Sequence, residues 1–209
     1  MNRMSFRFRS SRAIGVVCVA LSITACGRDT DKGAMQMPNI VVPSGADYTA
    51  ADVRFMQGMM HHHAQALAMV AMAPTHGASG RVLLLSKKIN ISQTDEINTM
   101  KTWIENRHQT IPDLNGPHPV MMPGMLTADQ MKQLAAAKGG DFDRLFLTDM
   151  IQHHQGALKM VADLRASPGA AQASEMFRYS SDVDNDQRGE ISVMQQMLET
   201  SPTQRSGSQ

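Results

Sequence analysis

Apolar residues recur at helical spacing along four long stretches of this chain. In the first, Phe55, Met59, His62, Ala66 and Met69 follow one another in steps of four, three, four and three. Met56, Met60, His63, Leu67 and Val70 run beside them at the same steps. Two adjacent seams give a helix a broad face to bury. Thr49-Ala-Ala-Asp52 has the form of a capping box for its start, and Pro74 ends it. A second helix is predicted from about Ser79 to Arg107, on Val82, Leu85, Ile89, Ile97, Met100 and Ile104, with Gln93 and Glu96 interrupting the apolar face. Between Gln109 and Gly140, Pro112, Pro117, Pro119 and Pro123 forbid regular structure. Thr127-Ala-Asp-Gln130 then opens a short helix that stops at Gly139-Gly140. A third long helix is expected from about Asp141 to Ala166. Ser167-Pro168 supplies a cap and first-turn pair for a fourth, running to about Thr200. No strand pattern of any length is present.

The stretches repeat. Asp52, Phe55, Met59, His62, His63, Ala66, Leu67, Met69, Val70 and Ala71 match Asp143, Phe146, Met150, His153, His154, Ala157, Leu158, Met160, Val161 and Ala162 at one constant offset, 153 − 62 = 91. The second and fourth helices match as well: Glu96-Ile97-x-x-Met100 corresponds to Glu190-Ile191-x-x-Met194, and Gln93 to Gln187. The repeated unit is therefore a helical hairpin. The expected fold is an all-α four-helix bundle built from two such hairpins, repeat one over 48–107 and repeat two over 141–200, with 108–140 as a long crossover linker.

The N-terminus carries a different signal. Arg3, Arg7, Arg9 and Arg12 precede a short apolar run, and Ser22-Ile23-Thr24-Ala25-Cys26 has the form of a lipobox. Residues 1–25 are thus expected to be a lipoprotein signal peptide, with Cys26 the lipidated residue. An ordinary secretory signal is the alternative. Residues 26–47 look like a flexible tether and 201–209 like a disordered tail. Removing the signal leaves 20 − 4 = 16 basic against 19 acidic residues, a net charge of −3, which gives no case for a nucleic-acid partner. The mature chain would have no free thiol, because Cys18 lies in the signal and Cys26 is modified. It keeps 19 − 2 = 17 methionines after Met1 and Met4 are lost.

Each histidine pair puts one imidazole in each apolar seam. Met59 precedes His62 by three residues and His63 by four, so it shares their helix face, and Met150 does the same for His153 and His154. A buried histidine is more often a hydrogen-bonded core residue than a ligand, and methionine stripes are usually packing. Two imidazoles per buried face, twice, are nevertheless costly without partners, and no acid lies between Asp52 and Asp95 to pair with the first set. The first helix offers no Glu, and neither pair has the Glu-x-x-His spacing of carboxylate-bridged di-iron bundles. Thioethers and imidazoles suit copper, Cu(I) above all, and need no cysteine. Zinc on four imidazoles is the alternative.

Asp-x-x-Phe-x-x-x-Met-x-x-His-His, followed by Glu-Ile-x-x-Met-x-x-Trp and by Met122-Pro-Gly-Met125 before the second copy, resembles the domain-of-unknown-function family numbered three hundred and five, over about residues 47–200. The resemblance implies a ferritin-like fold, and some exported members of that family bind copper and are implicated in copper tolerance. Carried over to this chain, the ligand candidates are Met59, His62, His63, Met69, Met150, His153, His154 and Met160. His61, with Gln152 in its place in the second copy, is expected to be solvated and at best an entry ligand.

Other signals carry less. Asp182-Val-Asp184-Asn-Asp186 imitates an EF-hand loop, but Gln187 and Val193 stand where Gly and Glu are needed. His118, Met121, Met122 and Met125 in the crossover could form a second, surface copper site, and Met35 and Met37 are weaker candidates. The expected function is an exported, membrane-anchored protein that sequesters or relays copper without turnover, with another copper-handling protein as a possible partner. A cuprous oxidase, for which Asp149 and the Gln93/Gln187 pair are the available polar groups, is the enzymatic alternative. A structural lipoprotein is the third reading.

Overall fold

The computed structural model describes residues 40–115 and 121–200, and among them the regular structure is entirely helical. The expected signal peptide at 1–25 with Cys26, Met35 and Met37 of the tether, His118 in the crossover and the tail at 201–209 lie outside the described residues.

Helix α1 spans Ala50–Val70. Its capping box forms as expected: the Thr49 hydroxyl accepts from Asp52 N–H, and the Asp52 carboxylate accepts from Thr49 N–H at 2.7 Å. Pro74 sits in a single 3-10 turn, Ala73–Thr75, and Ser79 caps α2, Gly80–Asn106. Thr127 and Gln130 form the second capping box, at the head of α3, Ala128–Ala136.

Two boundaries differ from the sequence reading. Helix α4 runs Gly139–Ala166, so Gly139-Gly140 is its first turn and not a gap before it. Gly139 has φ +56° and donates its N–H to the His76 carbonyl at 2.8 Å, which anchors the helix start on the α1–α2 connection. Helix α5 spans Ser174–Glu199, and Ser167-Pro168 does not open it. Ser167 ends α4, and the chain makes a further turn through Gly169 (φ +75°) and Ala171 (φ +55°) before α5 begins.

The repeated Asp explains that extra turn. Asp52, only 2 % exposed, accepts from the N–H of Ala171 at 2.8 Å, so the start of α1 holds the α4–α5 connection. Its counterpart Asp143 accepts from Ser79 N–H at 3.1 and 3.2 Å, so the start of α4 holds the α1–α2 connection. The duplicated acid clamps one repeat to the other.

Helices α1 and α2 pack together, α4 packs on α5, and α1 packs on α4. The apolar core divides into two clusters. One holds Phe55, Met59, Met100, Ala157, Val161, Met176 and Val183. The other holds Ala66, Met69, Val82, Ile89, Phe146, Met150 and Met194. Repeat-related residues fall in opposite clusters: Phe55 and Phe146, Met59 and Met150, Met100 and Met194. The histidine pairs lie between them in sequence on both α1 and α4. At the tether end, Ile40, Val42 and Ala46 pack on the first cluster, and Gln109 Nε2 donates to the Val41 carbonyl at 3.0 Å. Residues 40–47 thus belong to the bundle surface.

Candidate metal centre

His62, His63, His153 and His154 are at most 1 % exposed, because the seams that carry them face each other where α1 meets α4. The imidazoles of His62 and His153 lie 3.8 Å apart between ring centres and tilted by 40°. Within each pair the rings are farther apart, 6.4 Å for His62 and His63 and 6.2 Å for His153 and His154, as adjacent residues on a helix must be.

The sequence reading that no acid accompanies the histidines is overturned. His63 Nε2 is paired with Glu96, and His154 Nε2 lies 2.7 Å from Glu190. Both acids come from the following helix, α2 or α5, and are related by the repeat. The two interruptions of otherwise apolar faces were the signal: a carboxylate at a core position, written twice, needs a buried partner. Absence of an acid therefore cannot serve as the argument against iron. The Asp186 carboxyl is pushed up by burial first and then by Glu96 and Glu190.

Each imidazole leaves one nitrogen bare. His62 Nε2 is 3.0 Å from the Pro123 carbonyl. His62 Nδ1, His63 Nδ1, His153 Nε2 and His154 Nδ1 are buried with no hydrogen-bond partner. Burial, reinforced by the neighbouring His63, lowers the His62 pKa to about 3. Burial, then His62 and His154, holds His153 well below the ordinary range. These two rings are neutral at neutral pH, so their bare nitrogens can offer lone pairs.

The four methionine candidates divide between the two core clusters. Met59 lies in the first cluster, with Met160 packed against it, and Met69 and Met150 lie in the second. Met160 also approaches Met122 of the crossover: a Cβ on Gly58 would meet Met122 Sδ at 3.2 Å and Met160 Cε at 3.5 Å. Among the described residues no three His, Cys, Asp or Glu side chains are arranged to hold one ion. His61, expected to be solvated, is buried at 8 % exposed. Of the surface set in the crossover, Met121 is exposed while Met125 is buried.

The crossover is fastened across the histidines. The Gln65 amide donates to the Leu126 carbonyl at 3.0 Å and accepts from its N–H at 2.7 Å, and Gln152 donates to the Gly124 carbonyl at 3.3 Å. Gly156, whose counterpart in the first repeat is Gln65, makes room for it. A Cβ there would lie 1.9 Å from the Pro123 oxygen.

The family model for the domain of unknown function DUF305 matches residues 52–198. The chain belongs to the DUF305 family. No curated protein matches it. Among solved DUF305 structures, a fragment from Deinococcus radiodurans is 29% identical with a TM-score of 0.64, over 73% of this chain and 97% of that one. A DUF305 protein from Streptomyces coelicolor, named as secreted, is 25% identical with a TM-score of 0.63, over 74% and 94%. The protein CopM, solved with Cu(II), is 30% identical with a TM-score of 0.59, over 71% and 95%. CopM has also been solved with Cu(I) and with silver. The DUF305 match begins at the clamp residue Asp52 and contains both histidine pairs and both glutamates.

Proposed function

We propose that this DUF305 protein binds copper, Cu(I) in preference, and sequesters or relays it outside the cytoplasm without catalysing a reaction. The observation that carries this reading is the set of four buried, unpartnered imidazole nitrogens on the two helices that also bury Met59, Met69 and Met150. An orphaned buried polar atom costs about 1–3 kcal/mol. Four of them would consume a large share of the 5–15 kcal/mol by which a domain is typically stable. A soft cation taking those lone pairs together with Met59, Met69, Met150 and Met160 removes that cost. CopM, crystallised with Cu(I), Cu(II) and silver, supports the same class of cargo.

The ligand set we assign is Met59, His62, His63 and Met160 in one half and Met69, Met150, His153 and His154 in the other. The bundle is then ferritin-like, two duplicated hairpins in which each supplies one thioether to the other's histidine pair. Export and anchoring by lipid on Cys26 follow from the N-terminal signal, and the Streptomyces coelicolor relative, named as secreted, supports export.

Metal analysis of protein purified after copper exposure, with Cu(I) competition titration, tests the proposal. Stoichiometric copper that is lost in a His62→Ala/His153→Ala variant is the expected result. Absence of copper, or binding unchanged in that variant, refutes it.

A further inference from the structure

His63 and His154 differ from the other two imidazoles in what they bond. His62 meets a neutral backbone carbonyl, whereas His63 and His154 each meet a carboxylate through Nε2. Glu96 and Glu190 reach them from 33 and 36 residues away, on helices that carry neither pair. Both contacts are largely dry: the histidine side chains are 0 % exposed, Glu96 is 15 % exposed and Glu190 3 %.

A carboxylate oxygen can only accept, and a neutral imidazole has a single N–H. The contact therefore draws the proton to Nε2 and turns the lone pair to Nδ1. In both rings that Nδ1 is the buried atom with no partner. The opposite tautomer would set a lone pair against the carboxylate and strand an N–H donor in the core. A purely structural pair gains nothing from a bare Nδ1, since buried ion pairs are readily replaced by apolar packing. A ligand nitrogen needs that arrangement: a second partner that fixes the ring, selects the tautomer and raises its basicity.

We infer that Glu96 and Glu190 are positioning residues that make Nδ1 of His63 and of His154 the ligating nitrogens of the two half-sites. This rests on the metal-binding reading above. Each glutamate also places one negative charge behind its imidazole, which offsets the positive charge that a soft cation brings into a low-dielectric interior. The carboxylates stand behind the ligands and are not ligands themselves.

The test starts on the metal-free full chain, by long-range 1H–15N NMR of the histidine rings. Wild-type protein should show Nε2–H tautomers at His63 and His154. Glu96→Leu should convert His63 to a mixture and leave His154 unchanged. Glu96→Gln, which keeps an acceptor oxygen in a near-isosteric side chain, should retain the tautomer. Silver(I) competition should then show affinity lower by about 10–100-fold in Glu96→Leu, and a smaller loss in Glu96→Gln, which removes only the charge. A wild-type Nδ1–H tautomer or imidazolium at these rings overturns the inference. So does a His63 tautomer unchanged in Glu96→Leu while silver still binds, or, should that variant not fold, wild-type silver affinity in Glu96→Gln. Fixed tautomers in a wild-type protein that binds no silver overturn the metal-binding reading, and the ligand role with it.

Discussion

Acidifying the metal-free protein from pH 7 to pH 5 should destabilise it through His62. Burial and the adjacent His63 lower its pKa from the ordinary 6.5 to about 3 in the folded state. Below pH 6.5 the unfolded chain takes up a proton that the folded chain refuses. The unfolded state then binds more protons, and stability falls as the pH drops from about 6.5 toward 3. With those two values the loss is about 2 kcal/mol at pH 5 and on the order of 5 kcal/mol near pH 3. His153, lowered by burial and by His62, adds in the same direction. Asp149 and Asp186, whose carboxyls burial pushes up, act oppositely, so the His62 contribution is read as the difference between wild type and a His62 variant. Ordinary carboxylates titrate near pH 4, below the chosen window. Urea unfolding followed by far-ultraviolet circular dichroism at pH 7 and pH 5 measures the difference. His62→Leu should lose about 2 kcal/mol of that dependence and keep the share due to His153. A wild-type stability that is flat between the two values, or a dependence undiminished in His62→Leu, refutes the reasoning.

Other consequences of the same geometry can be measured on the same protein. Gly156→Ala should cost about 2–4 kcal/mol in urea unfolding, because its Cβ would overlap the Pro123 carbonyl and lift the crossover from Gln65, Gln152 and His62. Gly58→Ala should cost well under that in the same assay, since the atom it meets is the flexible end of Met122. Asp52→Ala removes both a capping box and the bond to Ala171, and thermal unfolding should report a loss of about 2–3 kcal/mol. Asp143→Ala, at a more exposed position, should lose less. Copper at one hundred times its dissociation constant should raise stability by about 3 kcal/mol. Chelation should abolish that gain, and His62→Ala/His153→Ala should not show it.

The sequence alone determined the helices, the repeat and the position of the histidines. Periodicity fixed α1 to within a turn because apolar side chains every three or four residues can be buried on only one face, and Thr49 with Asp52 supplies local caps that need no tertiary partner. It misplaced the start of α5 because the turn through Ala171 is held by Asp52, 119 residues away, and not only by the local bond from Ala170 to Ser167. It made His61 solvent-facing because one helix seen alone has an outer face, whereas the packed chain buries that residue. Above all it paired no acid with the histidines. Glu96 and Glu190 are distant in sequence and read locally as breaks in an apolar stripe. Only the packing of α2 on α1 and of α5 on α4 turns those breaks toward His63 and His154, where the cost of burying a carboxylate is met by a hydrogen bond. Residue identity and spacing are local properties of the chain, and the partner of a buried polar group is not.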